Sequence, residues 1–265
     1  MRMLEQLSFG FDVPIPAETP EVAPVIIADF PDETPVSYVA SETPVNLDGC
    51  PQARVKLIVK MIDTVYHKTH GSESFGRVLE IWWAVLQRFT PDGEVRYMEA
   101  IKGLDRETLE VIAKGLGELM LHFCYEGRFA DVLGPVYMEI ASDWGKKHMG
   151  QFFTPWNVAL FMAQMIIGPH EPDLDKRLSG DGEPVTMNEP CCGSGVLMLA
   201  AKGVVAKEYG RPALRRFLVY GQDIDNLCVR MAQIQMRLTD DWFMSNFLLA
   251  TSGEMREAAK AAAAG

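Results

Sequence analysis

The feature that most constrains the fold is a change of hydrophobic period after Gly182. Pro184–Glu189 reads as a short buried strand, Gly195–Tyr209 as a helix, Phe217–Gln222 as a second strand and Asn226–Leu238 as another helix. Two strands separated by a helix of this length run parallel, because a parallel pair needs a long crossover. The unit is βαβα, the opening of a doubly wound sheet, and the fold class is α/β. Upstream the period is helical throughout. Residues 53–70, 74–89 and 106–127 carry apolar side chains at three- and four-residue intervals, with Trp82, Trp83, Leu86 and Phe89 as packing residues. A short helix over 131–141 and the turn DWGKKHMG follow. Three parts are expected: a tail over 1–50, a helical subdomain over 51–145, and an abridged Rossmann-like domain over 146–265.

The tail differs in composition. Residues 1–50 hold nine acidic side chains against Arg2 alone, so most of the net charge of −11 lies there and the body is close to neutral. Pro, Glu, Thr and Val dominate residues 11–49, and ETP recurs at Glu18, Glu33 and Glu42. Such a stretch lacks the apolar periodicity to offset ordering, and an extended or disordered linker is expected. The alternative is an acidic arm that binds a partner or imitates DNA. A basic cluster at Lys202, Lys207, Arg211, Arg215 and Arg216 reads as a solvated helix-loop face.

The chain of 265 residues is 48% hydrophobic and 23% charged, enough for one sizeable core. Its longest apolar run, Val158–Ile167, is interrupted by Gln164 and too short for a bilayer. No uninterrupted apolar segment follows the N-terminus, so a cytoplasmic location is expected. The five cysteines form no CxxC pair, and His67, His70 and His122 share no ligand spacing, so reduced thiols and no metal are expected.

The chemistry concentrates in NEPCCGSGVLMLA, residues 188–200. Glycine between a strand and a helix lets a ligand approach the backbone, and the helix start offers free N–H groups. Asp223 follows the second strand in the segment VYGQDID, where an acid can accept from two ribose hydroxyls. Asp225 fits better as the cap of the next helix. Neither GxGxxG nor GxxxxGK[ST] is present, so S-adenosylmethionine, a nucleoside without phosphates, fits better than NAD or ATP. GxSxG is also absent, which makes Ser194 a poor nucleophile. In GQFFTPWNVALFMAQMI, residues 150–166, Thr154 is placed to cap a helix with Pro155 in its first turn.

The order GQFFTP, NEPCCGSG, YGQDID…MAQIQMRL resembles the adenine-N6 DNA methyltransferases of the type I modification-subunit kind, especially short phage and mobile-element methylase-like proteins. The resemblance runs from about Ala130 to Leu238. It implies that Gln151, Phe153, Thr154 and Pro155 close over the methionine end of S-adenosylmethionine. It implies further that Glu189, Gly193, Ser194 and Gly195 cradle the amino-acid and sulfonium portion. Asp223 would hold the ribose, with Ile224 against the adenine. Cys191 and Cys192 stand where the family commonly has Ala-Cys, and read as small buried fillers.

The family's catalytic tetrapeptide, Asn/Asp-Pro-Pro-aromatic, holds the target amino group and stacks on a flipped base. No Pro-Pro occurs in this chain, and MSNFLLA at 244–250 offers Asn246 and Phe247 without prolines. The 27 residues after Leu238 are expected to be too few for the later strands or a target-recognition domain. Two functions follow. One is an S-adenosylmethionine-dependent DNA methyltransferase of adenine-N6 type, incomplete alone, reaching DNA through a protein partner. The other is a non-catalytic S-adenosylmethionine-binding regulatory or anti-restriction subunit. No catalytic residue is assigned.

Overall fold

The structure, a computed structural model, describes residues 44–69, 74–88, 90, 92–143, 153–168 and 172–240. His70, Phe89, Gln151, most of the turn DWGKKHMG and the MSNFLLA segment lie outside them. Helix α1 (Gln52–Thr69) buries Val55, Ile58, Ile62 and Val65, the stripe its apolar spacing dictates. Helix α2 (Ser74–Leu86) buries Trp82, whose indole N–H donates to Ile112 O at 2.8 Å. Helices α3 (Gly93–Ala100) and α4 (Arg106–Met120) follow, α4 capped by Asp105, which accepts from Thr108 N–H at 2.7 Å. The chain then widens into a π-helical turn, Leu121–Tyr125, before α5 (Leu133–Asp143).

Helices α6 (Trp156–Ile166) and α7 (Pro172–Ser179) lead into strand β1 (Val185–Glu189). Helix α8 (Val196–Tyr209), a 3-10 turn over Arg211–Arg216, strand β2 (Phe217–Gly221) and helix α9 (Asn226–Leu238) complete the described chain. The strands pair in parallel, Val185 opposite Phe217 and Glu189 opposite Gly221. They are less buried than expected: Thr186 and Asn188 are exposed, because β2 is their one described sheet neighbour.

One hydrophobic core runs across the expected boundary between residues 145 and 146. It joins Ile58, Leu79, Trp82 and Leu116 to Met198, Leu199, Met231 and Ile234. A second cluster packs Ala159 and Ala163 of α6 against Val196, Ala200 and Val204 of α8, with Val185 and Phe217 of the strands.

Two sequence expectations change here. Of the basic cluster, Lys207 and Arg215 are exposed, but Lys202 and Arg211 are buried, each 7% exposed. The Arg211 guanidinium lies 5.4 Å from the centre of the Phe129 ring, and Arg216 donates to the carbonyls of Arg177 and Gly182. These side chains fasten loops. The second change is the start of the folded body, which precedes residue 50. Asn46 N–H donates to Gly127 O at 2.9 Å, and Leu47 O accepts the Trp156 indole N–H at 2.9 Å. Deleting residues 1–49 should therefore lower the melting temperature by several degrees more than deleting 1–43 does. Equal melting temperatures in differential scanning calorimetry would show that the 46–47 contacts add nothing.

Candidate cofactor site

Because β1 and β2 are parallel and in register, the loops leaving Glu189 and Gly221 emerge side by side. Two backbone bonds continue the pairing: Gln222 N–H donates to Glu189 O at 3.0 Å, and Cys192 N–H to Gln222 O at 2.9 Å. Gly193 and Asp223, thirty residues apart in sequence, are thereby joined, with Gly193 N–H donating to Asp223 Oδ2 at 2.9 Å. Gly193 and Gly195 are left-handed, φ 53° and 95°, which lets the chain turn sharply from β1 into α8. A Cβ on Gly193 would stand 3.0 Å from the ring of Phe153. The aromatic ring of the QFFTP segment thus lies on the glycine turn, braced edge-on by Tyr137 at 5.7 Å between centroids.

These segments enclose a cavity of about 160 Å³. Phe153 and Thr154 supply one wall, Gly193 and Val196 the second, Asp223 and Cys228 the third. Of the residues anticipated from sequence, Phe153, Thr154, Gly193 and Asp223 meet there. Pro155 and Glu189 are not among its walls: Pro155 is exposed, and half-buried Glu189 accepts from Cys191 N–H at 3.2 Å. Ile224 is 96% exposed beside Asp223, an apolar surface that none of the described residues covers. Ser194 points the other way, fully buried, its hydroxyl donating to Asp131 Oδ2 at 2.5 Å. Gly195 packs against Ala232 of α9.

Several local expectations are corrected. Pro155, extended at φ −60° and ψ 143°, takes the cap position of α6, and Thr154 precedes it without capping. Asp225 does cap α9, accepting from Leu227 N–H at 2.9 Å. Cys192 is a buried filler, whereas Cys191 is exposed on the cavity rim, because the turn after β1 carries it outward. The glycine turn's own N–H groups are committed within the protein, Gly193 to Asp223 and Gly195 to Cys192 O at 2.8 Å. What faces the cavity is the first turn of α8, Val196 and Leu197, which has no side-chain cap.

The Asp223 carboxylate accepts one N–H at each oxygen, Gly193 at Oδ2 and Asp225 at Oδ1, both at 2.9 Å. Each oxygen keeps a further lone pair, so the group can still accept two vicinal hydroxyls. Burial pushes the Cys192 and Cys228 thiols up to about 12, so both are neutral walls. Among the described residues, no group of three His, Cys, Asp or Glu is placed to hold a metal, and no helix is long and apolar enough to cross a membrane.

The sequence reading missed what lies behind the turn. Asp131 and Gln235, 4% and 0% exposed, form a polar cluster with Ser194. Burial pushes the Asp131 carboxyl up from its ordinary range, opposed by hydrogen bonds led by that from Ser194. One signal was available: Gln235 is a polar residue in the apolar stripe of MAQIQMRL.

A parallel strand pair whose ends hold a glycine turn, a strand-end acid and an aromatic clamp forms a candidate site for a nucleoside cofactor. Residues 128–244 match the family model of the N-6 DNA methylases, which supports S-adenosylmethionine as the cofactor. Among solved structures, the chain is similar to a candidate class I S-adenosylmethionine-dependent methyltransferase from Listeria monocytogenes, at 16% identity and a TM-score of 0.31. That match covers 71% of this chain, which spans about half (51%) of the Listeria protein. No curated protein matches the chain.

Proposed function

We propose that the chain holds S-adenosylmethionine for methylation of adenine N6 in DNA, and that a second polypeptide supplies the residues that grip the base. The observation that carries this is the convergence of Phe153, Thr154, Gly193 and Asp223 on one cavity. Asp223 accepts the ribose hydroxyls, Ile224 offers apolar surface to the adenine, and Phe153 covers the turn. The cofactor supplies the methyl group, and this chain's residues bind and orient it. Pro155 and Glu189 belong to the rim of the same site in this reading.

The need for a second polypeptide rests on the missing Pro-Pro tetrapeptide. A flipped base needs a hydrogen-bonding and stacking pocket to offset its extraction from the duplex. An apolar stripe on α6 supports a protein partner: Phe161, Met165 and Ile166 are 62, 71 and 73% exposed. In this reading the protein acts in the cytoplasm, within a modification assembly.

Two measurements test the reading. Calorimetry on the purified chain should show S-adenosylmethionine binding, while transfer of a labelled methyl group to duplex DNA should be absent. Efficient transfer by the chain alone would remove the need for a partner. Independently, Cys191 should react with iodoacetamide in the free protein and be protected by saturating S-adenosylmethionine, since it stands on the rim of the cavity. Unchanged labelling, followed by peptide mass spectrometry, would place the cofactor elsewhere.

A further inference from the structure

The polar cluster behind the glycine turn is more than the cavity requires for its walls. Ser194 sits between two left-handed glycines and is the one residue of the Gly193–Gly195 turn with a side chain by which the turn can be held. Both of its polar ends are gripped. Its hydroxyl donates to Asp131 Oδ2 at 2.5 Å, and its carbonyl accepts from Gln235 Nε2 at 2.8 Å. Gln235 Nε2 also donates to Asp131 Oδ1 at 2.9 Å, closing a ring of three residues from three parts of the chain. The same pair reaches the start of α5. Asp131 Oδ1 accepts Gly134 N–H at 3.0 Å, and Gln235 Oε1 accepts the N–H groups of Val132 and Leu133 at 2.8 and 3.2 Å.

We propose that Asp131 is a positioning residue for the cofactor, acting through Ser194 to fix the glycine turn against which S-adenosylmethionine binds; this rests on the cofactor reading of the cavity. Glycines at positive φ leave a turn many alternatives, and a turn that meets a ligand must be held from behind. A buried carboxylate is a costly way to fill a core, and apolar residues of similar volume do that at least as well. What the carboxylate adds is direction: one oxygen takes the Ser194 hydroxyl and the other takes α5 and Gln235. Gly134 keeps the path open, since a Cβ there would overlap Asp131 Oδ2 and stand 2.7 Å from Ser194 Oγ.

The test separates positioning from simple stabilisation. The full chain is compared with Ser194→Ala, Asp131→Asn and Asp131→Ala, and with Asp105→Ala, which removes the cap of α4 away from the turn. S-adenosylmethionine affinity is measured by calorimetry well below each melting temperature, and the amide resonances of Gly193 and Gly195 are recorded without ligand. Ser194→Ala and Asp131→Ala should weaken binding by about tenfold or more and displace both glycine resonances. Asp131→Asn, which keeps one acceptor oxygen and can donate to Ser194 Oγ, should recover part of the affinity. Asp105→Ala should lower the melting temperature with affinity and resonances unmoved. Wild-type affinity in Ser194→Ala and Asp131→Asn would overturn the proposal and make the cluster a stability device only; these two decide the matter if Asp131→Ala does not fold. Failure of the wild-type chain to bind S-adenosylmethionine would instead overturn the cofactor reading, and this proposal with it.

Discussion

Replacing Asp223 with alanine should weaken S-adenosylmethionine binding by roughly 2–4 kcal/mol, since hydrogen bonds to a charged group contribute about 1.5–3 kcal/mol each and are not additive. Two effects combine in that loss. The ribose hydroxyls lose their acceptor, and the Gly193 and Asp225 N–H groups lose theirs. Asp223→Asn separates the effects. It keeps one acceptor oxygen for the protein's own N–H groups, so the melting temperature should fall less than in Asp223→Ala while affinity still drops. Calorimetry with adenosine in place of the full cofactor should show the same loss. Full-strength binding by Asp223→Ala would assign the ribose to another group.

The second large effect is acid lability centred on His122. The imidazole is fully buried; its Nε2–H donates to Ala130 O at 2.8 Å, and Nδ1 accepts from Arg54 Nη1 at 3.1 Å. Burial pushes its pKa from 6.5 down to about 4, the bond to Ala130 opposes this, and the Arg54 charge adds to it. Between these values the unfolded chain binds a proton that the folded chain refuses. Stability is therefore complete above pH 6.5 and lost as pH falls toward 4, by up to about 3 kcal/mol at about 1.4 kcal/mol per unit. Glu126, held down to about 2 chiefly by its hydrogen bond from Arg54, adds a further loss only below about 4.5. Melting temperatures should decline between pH 6.5 and 4.5 in the wild type and stay nearly level in His122→Asn. An equal decline in both would move the acid-sensitive group elsewhere.

The parts of this architecture that follow from local pattern were legible in the sequence. The change of period located both strands and their helices to within a residue, and Asp225 caps α9 as its position after β2 implied. The nearness of Gly193 and Asp223 followed from the parallel pairing of β1 and β2, whereas Phe153 was placed beside them only by the family resemblance. Short polar elements escaped: α3 and α7 are eight residues each, too short to show a period. Burial by distant partners escaped as well. Lys202 falls in the apolar stretch LAAKGVVA and Arg211 near Arg215 and Arg216, and both lie under elements that local pattern does not reveal. The Asp131–Ser194–Gln235 ring joins residues 63 and 104 positions apart, and only the three-dimensional arrangement of α5, the glycine turn and α9 brings them together.

The core shared by the helical region and the cofactor half has a thermodynamic consequence. With Trp82 and Leu116 packed in the same cluster as Met198 and Ile234, the two halves should melt in one transition. Ligand bound at the glycine turn then raises the unfolding free energy of the entire unit, by about 2.7 kcal/mol at a hundredfold excess over Kd. Amide protons in α1 and α2, far along the chain from any residue that touches the cavity, would exchange more slowly when the cofactor is present.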